Sequence, residues 1–352
     1  MTAQQSDSLA KGYRRLWWRR AALLLLLAAA LLSAFVFDLS VGPMGLGWWD
    51  VIQLAFGWVE GDAAQRVIVL ELRLPYALMA VLVGASLGLA GAEMQTALNN
   101  PLASPFTLGI GAAATLGASL VIVFAPTLAG FSQLIMLPLA AFVFAAASCA
   151  LLLLVGRTLG TEVHTLVLFG IAMLFGLNAL VGLVQFMADA EAVQQIVFWT
   201  LGSLARASLD RAALLAVILA VCLLFALRQA WALTILRTGE DQARSLGVPV
   251  GRLRALVLLR VSLLTGVATA FVGEVGFIGL VGPHIARLLL GEDHRFFLPG
   301  SALAGALLLS LASIASRGIL PGVVLPVGLV TALVGVPLFV SLILARGRRA
   351  GL

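Results

Sequence analysis

The chain has 352 residues, of which 62% are hydrophobic and only 11% charged, against about 45–50% apolar and about 25% charged in a soluble domain. So few charges cannot clothe a globule of this size in water, which excludes a soluble protein and makes the net charge of +6 a matter of membrane topology rather than of nucleic-acid binding. Lys11 is the single lysine and stands in no glycine-rich loop; a Walker-type phosphate loop needs a lysine after its glycines, so any ATP hydrolysis must come from a partner chain.

A helix needs about 20 mostly apolar residues to cross roughly 30 Å of hydrocarbon. In chain order that rule predicts ten spans, at 20–38, 75–95, 107–125, 133–156, 165–188, 212–230, 254–273, 275–290, 297–315 and 326–345. The first follows Arg14, Arg15, Arg19 and Arg20 and is apolar from Ala21 to Phe37 except for Ser33. It reads as an uncleaved span rather than a signal peptide. The eighth is short and carries Pro283 and His284. Cys149 and Cys222 fall inside apolar runs with no zinc or Cys-x-x-Cys spacing, and read as inert small hydrophobes.

With the N-terminus inside, 16 basic residues fall in cytoplasmic segments and five (Arg66, Arg73, Arg206, Arg211 and Arg317) in outer ones, while Arg260 sits within a span. The positive-inside rule then places both termini in the cytoplasm. Two outer connections are long. Residues 39–74 carry Trp48, Trp49 and Trp58, and residues 189–211 carry Gln194, Gln195, Phe198 and Trp199. Both are expected to hold short helices along the outer surface, the tryptophans of the first at headgroup level.

Gly84, Gly91, Pro101 and Gly109 recur 182 residues on as Gly266, Gly273, Pro283 and Gly291. The copies are five spans apart, and an odd number turns the second copy upside down. The expected fold is an all-α polytopic membrane protein of about ten transmembrane helices in two inverted five-helix repeats, an architecture of transporters. It forms one transmembrane domain over residues 1–352, with a cytoplasmic N-terminal segment (1–19) and a cytoplasmic loop (236–253).

Within that loop, Thr238 and Asp241 have the spacing of a helix-starting capping box. Gly247 suits the residue just beyond a helix, and Pro249 prevents continuation. A two-turn helix over Gly239–Leu246 is expected, with Ala243 and Leu246 on one face by their spacing of three. Such a short, stopped helix suits a knob for a soluble partner.

Five motif blocks in order carry a resemblance to a known family. They are Arg73-Leu-Pro75 with Val83-Gly-Ala85; Gln95 through Asn100-Pro-Leu-Ala-Ser-Pro105 and Leu108-Gly109; Gly239-Glu240 with Ala243 and Leu246-Gly247; Gly276-Phe-Ile-Gly-Leu280 with Pro283-His284, Arg287 and Asp293-His-Arg295; and Leu325-Pro-Val-Gly328 with Gly335, Pro337 and Phe339. Nearly end to end, the chain resembles the permease subunits of ATP-binding-cassette importers for iron–siderophore complexes, haem and cobalamin.

The resemblance implies a type II importer fold working as a homodimer in the bacterial inner membrane. Two cytoplasmic ATPase subunits would use ATP and Mg, and one periplasmic substrate-binding protein would dock outside. No cofactor is implied for this subunit. Gly239, Glu240, Ala243, Leu246 and Gly247 correspond to the ATPase-coupling helix, and Arg73 and Arg317 to outward-facing arginines that dock the binding protein. Two departures bear on docking. Tyr76 and Ser313 stand where the family often has an arginine and an aspartate, so contacts could shift to Arg66 or Arg206.

Arg206 is a candidate for the cargo vestibule, where it would meet an anionic chelate. Glu93 lies near the inner end of the second span, where it could function or simply hydrate, and Glu274 at an outer span end reads similarly. His164, His284 and His294 lack metal-ligand spacing, and no His-Glu-x-x-His or Gly-x-Ser-x-Gly occurs, so neither a metal site nor a catalytic centre is expected. The expected function is import of a ferric chelate, a siderophore before haem. The alternatives are a cobalamin permease, an ion-gradient transporter, which would want buried carboxylates in mid-span, and an intramembrane enzyme.

Overall fold

A computed structural model of the chain describes residues 3–41, 47–55, 58, 62–124, 133–158, 163–320 and 322–350. Every regular element among these residues is helical. Ten helices match the ten expected spans: α1 (Ala3–Ser40), α4 (Leu74–Ala97), α5 (Ile110–Phe124), α6 (Gln133–Thr158), α7 (Val163–Met187), α9 (Leu209–Arg228), α12 (Val250–Val272), α13 (Ile278–Leu290), α14 (His294–Gly318) and α15 (Val327–Ala350). Among the described residues, seven helices are long and apolar enough to cross a bilayer, whereas α5, α13 and the described part of α15 are shorter. Helices α2 (Trp48–Ala55), α3 (Ala63–Arg66), α8 (Ala190–Thr200), α10 (Ala230–Leu236) and α11 (Glu240–Ser245) lie in the connections.

Helix α4 is the axis of the bundle and is buried along almost its whole length. Its sequence is apolar on every face up to Glu93, Gln95 and Thr96 near its end, as a core helix requires. Gly84, Gly88 and Gly91 share one face, and an added Cβ on each would run into the backbone of Gly305, Ser301 and Gly279 respectively. Hydrocarbon gives helices no hydrophobic reason to associate, so close backbone approach across small residues supplies the contact. That approach brings α13 and α14 onto α4. At the periphery, α7 turns Leu168, Phe175, Leu183 and Phe186 outward, the surface expected of a lipid-facing helix.

The connection before α4 is not a surface segment throughout. Val67–Arg73 forms a π-helical stretch that joins α3 to α4, so the second span runs as one helix from Ala63 to Ala97. The 189–211 stretch holds the expected short helix, α8, capped by Asp189, whose carboxylate accepts from Ala192 N at 2.8 Å, but Trp199 is buried in the core.

The third span starts part-way into the bundle. After α4 ends, residues 98–109 climb back beside it, and Pro105 lies against Gly279, which faces Leu87 and Gly91. That level is roughly 9–15 Å before the end of α4, at about 1.5 Å per residue. Gly109, at φ 82°, then turns the chain into α5. Its repeat partner Gly291 shares the positive φ, 77°, but not ψ, −159° against 5°, and closes α13 rather than opening a span.

Candidate functional site

One end of the bundle gathers the N-terminal arginines, the 98–109 turn, α10–α11 and the α13–α14 corner. Helix α11 lies where the short cytoplasmic helix is expected but is one residue shorter at each end, Glu240–Ser245, with Gly239 and Leu246 as its caps. Its start differs: the N-cap is Gly239, with no side-chain cap, and Thr238 donates its hydroxyl to Ile235 O instead. The stop is as expected. Gly247 sits at φ 80° and donates to Arg244 O, while Val248 N reaches Ala243 O, the paired bonds of a Schellman turn.

That turn also explains why Ala243 and Leu246 do not share an exposed face. Ala243 is fully buried, closing under Val248, whereas Leu246 is the C-cap, already past the last helical residue and 54% exposed. Glu240 accepts from Arg244 at 2.6 Å and from Arg254 at 3.1 Å. Arg254, almost wholly buried, also donates Nε to Ala97 O at 3.0 Å. The knob is thereby fastened to the end of α4.

At the opposite end, Arg73 and Arg317 turn inward. Arg73 is 5% exposed and donates to Leu39 O and Ser40 O at 3.1 and 3.3 Å. Arg317 donates to Val41 O at 3.0 Å and Asp38 O at 2.7 Å, and ion-pairs with the Asp38 carboxylate. The last carbonyls of a helix have no partner within it, and guanidiniums satisfy them well. The two arginines therefore cap α1. Both family departures fall in this corner: the Tyr76 ring lies 4.7 Å beneath Arg317, and Ser313 donates its hydroxyl to Asp38 at 2.9 Å. Arg66, by contrast, is exposed. Asp38 was not singled out from sequence; a lone carboxylate at the end of an apolar span was the available signal.

Beside this corner is a cavity of about 530 Å³, lined in part by Gln194, Gln195, Trp199, Ser203 and Arg206. Arg206 is half-buried, and desolvation, helped by Arg211, lowers its pKa. The indole N–H of buried Trp199 has no hydrogen-bond partner among the described residues. Glu274 lies in the turn between α12 and α13, where burial pushes its carboxyl up to about 7.

Inside the bundle Glu93 does not hydrate. It is fully buried and takes Arg260 Nε at 2.9 and 3.1 Å, while Arg260 Nη1 donates to Gln229 at 3.0 Å. The opposite charge already noted at Arg260 was the sequence signal for this pair. His294 is likewise a core residue, with its ring nitrogens 2.8 Å from the Thr96 hydroxyl and 3.1 Å from that of Thr234. Among the described residues no three His, Cys, Asp or Glu side chains group as metal ligands. The side chain of His164 lies outside the described residues.

The model of the FecCD transport family matches residues 26–345. The hemin transport system permease protein HmuU of Yersinia pestis is 38% identical over 81% of this chain and 84% of its own length. The vitamin B12 import system permease protein BtuC of Vibrio cholerae is 35% identical over 79% and 83%. A solved structure described as an inward-facing conformation of a metal-chelate type ABC transporter matches with a TM-score of 0.82 at 30% identity, covering 92% of this chain and 99% of that one.

Proposed function

The chain belongs to the FecCD transport family, and from that premise we propose that it is the membrane-spanning subunit of an ATP-driven importer for a ferric chelate, a siderophore before haem. It works as a homodimer in the bacterial inner membrane with both termini in the cytoplasm. A periplasmic binding protein delivers cargo, and two separate ATPase subunits use ATP and Mg. This subunit holds no cofactor and catalyses no covalent step.

The observation that carries this reading is the match, over nearly the whole chain, to a metal-chelate type transporter fold. In this reading Gly239, Glu240, Ala243, Leu246 and Gly247 form the ATPase-coupling element. Ala243 seats it and exposed Leu246 offers the apolar contact. Arg73 and Arg317 build the outer corner on which the binding protein lands, with exposed Arg66 steering the approach, since rim charges act more on encounter than on affinity. Arg206 faces the cargo from the cavity.

The buried carboxylate that an ion-gradient transporter would use is Glu93, and Arg260 already neutralises it. Cobalamin is the next reading, because the Vibrio cholerae permease is also similar. Uptake by the reconstituted complex separates the cases. ATP-dependent accumulation of a ferric siderophore, but not of cobalamin, supports the proposal; the reverse preference overturns its cargo. Arg206→Ala should reduce uptake of an anionic ferric chelate more than of a neutral one, and equal losses would remove Arg206 from cargo recognition.

A further inference from the structure

We propose that Arg237 is a positioning residue for transport, passing movement of the ATPase-facing segment to residues 98–109 through its grip on Asn99. The inference rests on the importer reading. Arg237 follows α10 directly and stands two residues before Gly239. Its Nη1 donates to Asn99 Oδ1 at 2.5 Å, and its Nε and Nη2 reach one oxygen of Glu292 at 3.2 and 3.1 Å. The same oxygen lies 3.2 Å from Arg287 Nε, and Arg287 Nη2 donates to Gln95 Oε1 at 2.9 Å.

Gln95 lies in the last turn of α4 and Asn99 two residues beyond its end, so the chain of contacts closes on itself: Asn99, Arg237, Glu292, Arg287, Gln95. It ties together α10, the α13–α14 corner and the start of the 98–109 turn. The guanidiniums of Arg237 and Arg287 are largely shielded from solvent although their shared partner Glu292 is 45% exposed, and charge-assisted hydrogen bonds from such partly buried cations are strong and less screened than those between fully exposed groups. A planar fork can hold two partners in fixed directions, which a lysine ammonium cannot.

The geometry also separates what can move from what cannot. Gly239 at φ 135° and Gly247 at φ 80° flank α11, and a Cβ on either would meet nothing within 4 Å. Both joints therefore have room. On the other side of the contact, Asn99 holds φ 42°, a left-handed conformation that asparagine tolerates, and begins the turn that climbs back to Pro105 and α5. A shift of Arg237 is delivered to that turn at its first left-handed residue.

The test uses the full complex of permease, ATPase and binding protein in proteoliposomes. Asn99→Ala, which removes one side-chain amide at the turn, should lower uptake per ATP hydrolysed by about three- to thirtyfold while the ATPase still co-purifies. Arg237→Gln should do the same, and Arg237→Lys should fall between. A second readout reports movement itself. Spin labels at Leu102→Cys and Ser245→Cys, both exposed positions, should change separation on ATP binding in the otherwise unaltered chain and lose that change with Asn99→Ala.

Unaltered uptake per ATP, or an ATP-driven distance change that survives Asn99→Ala, overturns the role of Arg237. Absence of ATP-dependent uptake in the unaltered complex overturns the importer reading instead.

Discussion

Asp38 and Arg317, like Glu93 and Arg260, are opposite charges brought out of water together. Removing one partner from such a pair is far more damaging than removing both, because an uncompensated charge is left behind. Arg260→Leu should therefore destabilise the chain by about 3–5 kcal/mol, read as a lowered midpoint of unfolding in detergent, and adding Glu93→Gln should recover part of that loss. An unchanged midpoint for Arg260→Leu would mean that Glu93 is hydrated after all. Glu274 gives a pH dependence. Its folded-state pKa of about 7 lies above its unfolded value of about 4.3, so the folded chain binds the extra proton and stability falls as pH rises from about 4.3 to 7. Thermal unfolding should show that fall, and Glu274→Gln should flatten it; a variant with the same slope would exclude Glu274 as its source. These pairings were only half legible in sequence. Glu93 and Arg260 could each be seen as intramembrane charges, but a separation of 167 residues hides that they meet.

At the scale of elements, the ten helices were legible because the hydrophobic runs are long and the bilayer fixes how long they must be. What escaped was how the chain enters them. The π-helical stretch ahead of α4 buries Val69 in a cluster with Leu39, Val51 and Leu54, and the climb of residues 98–109 depends on packing around Gly279 and Gly91; no local pattern encodes either. Helix α11 shows the same division. Its stop at Gly247 was written in the sequence, but the inward turn of Ala243 comes from a Schellman closure that spacing alone does not resolve. Gly247 is tested directly: a β-branched residue there must adopt φ 80°, costing roughly 1–2 kcal/mol. Gly247→Val should weaken ATPase attachment while leaving the helical circular dichroism of the bundle intact, and normal attachment would show that the turn is not needed. Gly91→Leu is the contrasting case. Its side chain would meet the Gly279 backbone, so it should prevent accumulation of folded protein in the membrane; normal accumulation would contradict the close α4–α13 contact.

For the whole molecule, the two ends of the bundle are organised differently. At one end the arginines tie α10, α11, α13 and α14 to the end of α4; at the other they cap α1 and leave a half-polar cavity beside them. A permease driven from one side and loaded from the other needs that division. The resemblance in the sequence already pointed to it, and the family match confirmed the class, while the inward turn of Arg73 and Arg317 emerged only in three dimensions. The central claim is that a separate ATPase drives this chain through the 236–253 loop. The most direct measurement is affinity purification from native membranes with the stoichiometry of co-purifying chains. The account predicts an ATPase in equal amount, lost when Leu246 is replaced by glutamate and retained with Arg66→Glu. A homo-oligomer that carries no ATPase and still moves its solute on an ion gradient would contradict it.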